Sequence, residues 1–336
     1  MSELLVTVER GQVVESIHRG DIAIVRANGE VISSVGDIEK VVFARSSMKP
    51  LQTIPIIETG AADHYHFEDG DLALACASHN GEKQHTERAA SILSRLELEV
   101  SNLKCGTHPP RWQEAYEELI KSGGDVTQIH NNCSGKHSGM LATAKHMDES
   151  IEDYYKIDHP VQQRILSVIS ELTDVPMKEI QIGIDGCGVP VHGIPLRNLA
   201  LGFARMADPS GLNESRQQSI GRVTAAMMNA PEMVGGTSRF CTDFMKHMDG
   251  KMFGKVGAEG VYCVGVPEAG IGIAVKIEDG NSRATNAVIM EILSQMDLID
   301  EQEAKALESY HFPTLLNARI EKVGMLKPVF SIYQRV

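Results

Sequence analysis

The sequence predicts an α+β fold: an antiparallel sheet built from both ends of the chain, packed with helices, and interrupted by a mainly helical insertion. Three observations carry this reading. Short apolar runs separated by turn residues fill residues 4–42, helical spacing dominates from about 46 to 240, and strand-like runs return from 255.

The elements follow in order. Residues 4–8, 22–25 and 31–34 are apolar runs broken at Arg19-Gly20-Asp21, Asn28-Gly29 and Gly36-Asp37, which read as turns. Thr86 is placed to cap a helix carrying Ala89, Ile92, Leu93 and Leu96, and a second helix over 112–121 stops at Gly123. Pro160 opens a third, with Ile165, Val168, Ile169 and Leu172 on one face. Residues 260–266 and 271–277 flank Pro267-Glu268-Ala269-Gly270 as a hairpin, and a helix with Ala287, Ile289, Ile292 and Leu293 follows. With no repeat, linker or low-complexity tract, residues 1–336 are expected to form one discontinuous catalytic domain. Its sheet part spans about 1–60 and 235–336, and its mainly helical part about 61–234.

Composition narrows the function. A formal net charge of −13 disfavours nucleic acid and anionic membrane surfaces as partners, so a small molecule is the expected substrate. The N-terminus has no signal-peptide pattern and no 18-residue apolar run occurs, which points to a cytoplasmic chain. The six cysteines show no CxxC pairing and read as reduced thiols or metal ligands. No GxGxxG or Walker loop is present, so neither nucleotide nor phosphate is indicated.

Three short motifs suggest serine–lysine chemistry. Ser46-Ser47-Met48-Lys49 is an S-x-x-K, Ser78-His79-Asn80 an S-x-N, and Lys255-Val256-Gly257 a K-x-G, the order found in penicillin-recognising serine acylases. Residues three apart share a helix face, so the Lys49 amine can serve as base to the Ser46 hydroxyl. Pro50 suits a helix start, which would set Ser46 where free backbone N–H groups can stabilise an oxyanion, and Pro55 is expected to kink or shorten that helix. Each motif is weak alone: Ser101 to Lys104 and Lys121 to Gly123 repeat the same spacings in contexts that give them no chemical role.

A second constellation holds cysteine. His130-Asn131-Asn132-Cys133-Ser134-Gly135-Lys136-His137 reads as a polar loop entering a helix from 134 to about 147, which sets Cys133 at an N-terminus that favours thiolate. Ile184-Asp185-Gly186-Cys187-Gly188 places a second cysteine between glycines that permit close approach. Two thiolates, a third donor and an open position would suit zinc, with His130 and His137 candidates by type. Buried cytosolic cysteines are also commonly small core hydrophobes, and spacing alone does not separate the two readings.

Together these segments resemble the rhizobial-type (thermolabile type II) L-asparaginase family. The resemblance is carried by Ala44-Arg45-Ser46-Ser47-Met48-Lys49-Pro50-Leu51-Gln52, Cys76 to Glu82, Cys105-Gly106-Thr107-His108-Pro109-Pro110, Asn131 to His137, Ile184 to Pro190, and Lys255 to Tyr262. It implies a serine β-lactamase-like fold and hydrolysis of L-asparagine to aspartate and ammonia. It pairs Ser46 with Lys49 and Ser78 with Lys255 as catalytic residues, with Ser46 the preferred nucleophile and Ser78 not excluded by the sequence. It also implies one zinc per chain on Cys133, Lys136 and Cys187, completed by water, with Asp185 beside it. Arg45, His79, Asn80, Asp185 and Arg239 are the candidate substrate-binding residues. Ser238 and Cys241 depart from the smaller residues expected in the stretch Gly235 to Asp243. A glutaminase or other small-amide hydrolase is the alternative enzyme, and a metal- or ligand-binding protein the alternative class. A homodimer is expected as the commonest assembly of soluble enzymes.

Overall fold

The computed structural model describes residues 1–332. The N-terminal strands are β1 (Glu3–Arg10), β2 (Val13–Arg26), β3 (Val31–Val35) and β4 (Val41–Phe43). Helices α1 (Lys49–Glu58), α2 (Ala61–His64), α3 (Asp69–Ala75), α4 (Lys83–Arg95), α5 (Gln113–Lys121), α6 (Ser134–His146) and α7 (Pro160–Thr173) follow. Next come β5 (Gln181–Ile184), β6 (Pro190–Pro195), α8 (Leu196–Ala207), α9 (Glu214–Asn229), α10 (Pro231–Val234) and α11 (Phe240–Met248). The chain then runs through β7 (Phe253–Gly257), β8 (Val261–Val266), β9 (Ile271–Ile277), α12 (Arg283–Gln295), α13 (Glu301–Ala306), α14 (Glu308–His311), β10 (Thr314–Leu316) and β11 (Lys322–Pro328).

These elements form two compact units. The sheet unit comprises Met1–Ser47, Ile194–Asp208 and His247–Val336. Its antiparallel sheet runs β10-β11-β1-β2-β9-β8-β7, with β3 also on β2, so both ends of the chain do supply it. Helix α8 packs on β2, β8 and β9, and α12 on β1, β8, β9 and β11. Strand β8 is consequently buried at every position. Gly272 on β9 permits the approach of α8, because a Cβ there would stand 2.0 Å from the Ala200 carbonyl oxygen. That close packing is why Leu196–Ala207 belongs with the sheet although it lies inside the segment expected to be mainly helical.

The helical unit comprises Met48–Gly193 and Pro209–Lys246. Helix α1 is its centre, buried from Lys49 to Ile57 and packed by α6, α7 and α9. Helix α3 packs against α6, α9 and α10. Helix α6 is buried from Ser134 to Ala144 although few of those residues are large and apolar. Glycine explains it: a Cβ on Gly135 would meet the Leu74 carbonyl oxygen at 2.2 Å, and one on Gly139 would meet Ile56 Cδ1 at 2.3 Å. Strands β5 and β6 form a hairpin from Gln181↔Gly193 to Ile184↔Pro190.

Several local expectations change. Arg19-Gly20-Asp21 is not a turn: β2 runs through it, and Gly20 is small because a side chain would strike the Lys276 carbonyl on the neighbouring strand. The turn lies at Gly11, whose φ of 59° lies in the left-handed region that glycine adopts without a Cβ clash. Helix α4 starts at Lys83 after Glu82, so Thr86 does not cap it. Ser46 lies in a 3₁₀ turn (Arg45–Met48) and α1 begins only at Lys49. That helix continues through Pro55 to Glu58, without being shortened there.

Candidate active site

In the helical unit, Lys49 opens α1 and is fully buried. Its Nζ donates to the Ala77 carbonyl, to Ser78 Oγ at 3.2 Å and to the Asn132 carbonyl at 3.5 Å. The lysine–serine pair held here is thus Lys49 with Ser78, a pairing the motif order alone did not suggest. The loop bearing Ser78 is fixed by its backbone. Ser78 N donates to the Val234 carbonyl at 3.0 Å, Asn80 N to the Gly235 carbonyl at 3.1 Å, and Asn80 O accepts from Arg111 N at 2.7 Å.

His79 and Asn80 hold this loop in place. His79 Nδ1 accepts the Gly81 N–H at 3.0 Å, so the ring proton sits on Nε2, which donates to Ser134 Oγ at 2.9 Å. Burial, then the charges of His85 and Lys49, keep His79 well below the usual histidine range and neutral. Asn80 Nδ2 donates to the Thr237 carbonyl at 2.9 Å. Glu82, two residues on, accepts from Thr237 N at 2.7 Å and from Thr237 Oγ1 at 2.9 Å. The Ser78 loop and the Gly235 to Arg239 segment are therefore one hydrogen-bonded body. Neither histidine nor carboxylate here was singled out for that clamping role from sequence, because its partners lie far along the chain.

The two cysteines and the lysine of the second constellation also meet. Cys133 caps α6, with its N–H on Asn131 Oδ1 at 2.9 Å. Cys187 sits in the turn of the β5–β6 hairpin, closed by Asp185 N to the Val189 carbonyl and Gly188 N to the Asp185 carbonyl, each 2.9 Å. Lys136 Nζ donates to Cys187 Sγ at 3.1 Å; the Cys133 thiol lies 3.6 Å from Asn132 Oδ1 and also shares a hydrogen bond with the Cys187 sulfur. Accepting that hydrogen bond and facing Lys136 bring Cys187 down to about 5 against the opposing effect of burial. Donating it, together with burial, pushes Cys133 up to about 12. Burial opposes charge on Lys136, but the sulfurs of Cys187 and Cys133 and the Asp185 carboxylate outweigh it and raise its proton affinity. The two sulfurs and the amine thus form one buried group in which Cys187 is the sulfur most inclined to lose its proton. Among the described residues no group of three or more His, Cys, Asp and Glu side chains could hold a metal, so His130 and His137 do not complete a set. Nδ1 of His137 hydrogen-bonds the Tyr154 hydroxyl at 2.7 Å instead. No disulfide joins the six cysteines, all of which are buried.

In the sheet unit, Arg45 has a φ of 52°, a left-handed conformation unusual for a side-chain-bearing residue, directly before Ser46. Ser46 is half-buried. Ser47 Oγ donates to the Ala44 carbonyl at 2.7 Å, and a Cβ on Gly257 would lie 2.7 Å from that same oxygen, so the end of β7 abuts this turn. Lys255 on β7 is fully buried, opposite Cys263 on β8, with Nζ donating to the Val256 carbonyl at 2.9 Å. Burial pushes the Cys263 thiol up to about 12, against the influence of Ser47 and Lys255. Arg45 lies 3.9 Å from Glu259.

The profile of the L-asparaginase II family matches residues 6–328. The chain belongs to the L-asparaginase II family. Membership makes it an amidohydrolase whose substrate is asparagine. No curated protein gave a significant match. Among solved structures, the chain is similar to a β-lactamase from Mycobacterium bovis at 12% identity, covering 87% of this chain and 95% of that one, with a TM-score of 0.39. It is similar to Mglu at 14% identity, covering 84% of this chain and 61% of that one, with a TM-score of 0.45. A D-alanine carboxypeptidase from Burkholderia cenocepacia is 14% identical over 87% of this chain and 92% of that one, with a TM-score of 0.37.

Proposed function

We propose that this asparaginase works by serine–lysine acyl transfer. The observation that carries the reading is the Lys49–Ser78 hydrogen bond of 3.2 Å, which puts a buried amine within proton-transfer distance of a serine hydroxyl. Ser46 Oγ adds to the side-chain amide carbon of L-asparagine, and the C–N bond then breaks. The serine proton, carried through a lysine, leaves with the nitrogen as ammonia. Water attacks the resulting ester, the serine recovers its proton, and L-aspartate departs. Lys49 with Ser78 forms the base unit, and Lys255 assists proton transfer. The strained Arg45 immediately before Ser46 supports Ser46 as nucleophile, since such conformations persist where function maintains them. The hydrogen bond itself favours a second reading in which Ser78 attacks and Lys49 is its direct base.

For substrate binding, charge assigns Asp185 to the α-ammonium and Arg239 to the α-carboxylate, while His79 and Asn80 position Ser78 and Arg45 adds positive charge near Ser46. Two sulfurs and an amine gathered at Cys133, Cys187 and Lys136 are a donor set that suits zinc, and these three would hold one ion per chain. Zinc held there would supply positive charge beside the Asn132–Cys133 segment, whose Asn132 carbonyl accepts from Lys49.

Ammonia release from L-asparagine and L-glutamine by purified protein tests the reading. L-Asparagine is expected to have the higher kcat/KM, and Lys49→Met to lose about a hundredfold or more of it. Preferential turnover of glutamine, or an active Lys49→Met variant, would contradict it.

A further inference from the structure

The stretch from Cys105 to Pro110 has no part in the chemistry above, yet it adjoins both loops that surround Lys49. Its Cys105 and Gly106 carbonyls accept from Asn131 Nδ2 at 2.8 and 3.2 Å. Just beyond it, Arg111 N and Trp112 N donate to the Asn80 carbonyl at 2.7 and 3.2 Å, two residues from Ser78. Between these anchors stands His108, half-buried. Asn132 N donates to its Nε2 at 2.9 Å. A backbone N–H can only donate, so Nε2 carries no proton. The ring proton sits on Nδ1, which donates to the Pro109 carbonyl at 2.8 Å. Asn132 Oδ1, 3.2 Å from Nε2, therefore receives no proton from it.

Lys49 gives this contact a chemical use. Its Nζ faces three oxygens: the Ala77 carbonyl, the Asn132 carbonyl at 3.5 Å and Ser78 Oγ at 3.2 Å. A neutral amine, the form that acts as a base, has two N–H groups and one lone pair. Carbonyl oxygens can only accept, so Ala77 and Asn132 take the two N–H groups, and the lone pair is left for the Ser78 hydroxyl. Without the Asn132 carbonyl, the amine would be free to turn an N–H to Ser78 and its lone pair away. Asn132 is thus held at both ends of its backbone, its N–H by His108 and its carbonyl by Lys49.

We propose that His108 is a positioning residue of the active site: by accepting the Asn132 N–H it holds the Asn132 carbonyl against Lys49 and so aims the lone pair of the amine at Ser78. The inference rests on the serine–lysine reading and deepens it, adding a residue that acts through Asn132.

The test compares ammonia release from L-asparagine by wild type, His108→Leu, His108→Gln and His108→Asn. Glutamine carries an acceptor at the place of Nε2, asparagine only at that of Nδ1, and leucine none. His108→Leu and His108→Asn should lose about tenfold or more in kcat with KM within about twofold, because a misdirected base slows the chemical step without weakening substrate binding. His108→Gln should recover most of that loss. Equal losses in all three, a rise in KM in place of the fall in kcat, or an unchanged kcat in His108→Leu would overturn the claim. Should His108→Leu fail to fold, the asparagine and glutamine variants decide by the same rule. Lys49→Met, assayed beside them, separates the two readings. An inactive Lys49→Met with a fully active His108→Leu refutes the positioning role alone, whereas an active Lys49→Met refutes the lysine base and the positioning role with it. Metal analysis of each variant checks the other route, through Cys133: a loss of bound zinc in proportion to the loss of kcat would also overturn the claim.

Discussion

At the scale of single residues, the sulfur–amine cluster makes a claim about protons. With Cys187 at about 5, Cys133 at about 12 and Lys136 raised, the metal-free protein near neutral pH holds a thiolate, a thiol and an ammonium. Zinc needs two thiolates and a neutral amine, so binding must expel one proton from Cys133 and one from Lys136. The sign follows: affinity rises with pH and falls as pH drops, by about a hundredfold per unit across the neutral range, and more steeply below about 5 as Cys187 also protonates. Competition titrations with a chelator at several pH values between 6 and 8 measure that slope. A pH-independent affinity, or protein that takes up no zinc, would remove the assignment. The motif residues were legible because each sits in a short pattern whose chemistry depends on local spacing. The clasp of Glu82 on Thr237 was not, because the two lie 155 residues apart and no local pattern joins them. The Lys49–Ser78 bond was hidden for the same reason: i,i+3 spacing draws attention to Ser46, while the partner is brought by another loop.

At the scale of elements, helix α6 delivers Cys133 and Lys136, and its position depends on Gly135 lying against the Leu74 carbonyl. Backbone cannot yield as a flexible side chain does. Gly135→Ala should therefore lower stability by about 1–3 kcal/mol despite the better helix propensity of alanine. Gly186→Ala, at a site with nothing within 4 Å of the new methyl, should change it by about 0.5 kcal/mol or less. Denaturant unfolding of the two variants makes the comparison, and equal stability would show that α6 is not seated by that contact. Helices with periodic apolar residues, such as α7 behind Pro160 and α12, were readable from sequence. Helix α6 was found by its loop and its start, since a face of small residues packs closely without leaving an apolar period. The misread turn at Gly20 has a related cause. Glycine marks turns and close strand contacts alike, and only the neighbouring strand β9 decides which.

At the scale of the whole molecule, the α+β class was visible because strand and helix periods occupy different stretches of the chain. The part of the chain expected to build the sheet includes α1, which packs on α6, α7 and α9, and the part expected to be helical includes α8, which packs on β2, β8 and β9. Among the described residues no helix is long and apolar enough to cross a membrane. The central claim is that this family member passes its substrate through a serine ester on Ser46. Rapid acid quench during turnover of L-asparagine, followed by peptide mapping by mass spectrometry, tests it most directly. An aspartyl ester on the peptide containing Ser46, absent in Ser46→Ala, is the predicted result. An ester on Ser78, or full turnover by Ser46→Ala, would contradict it.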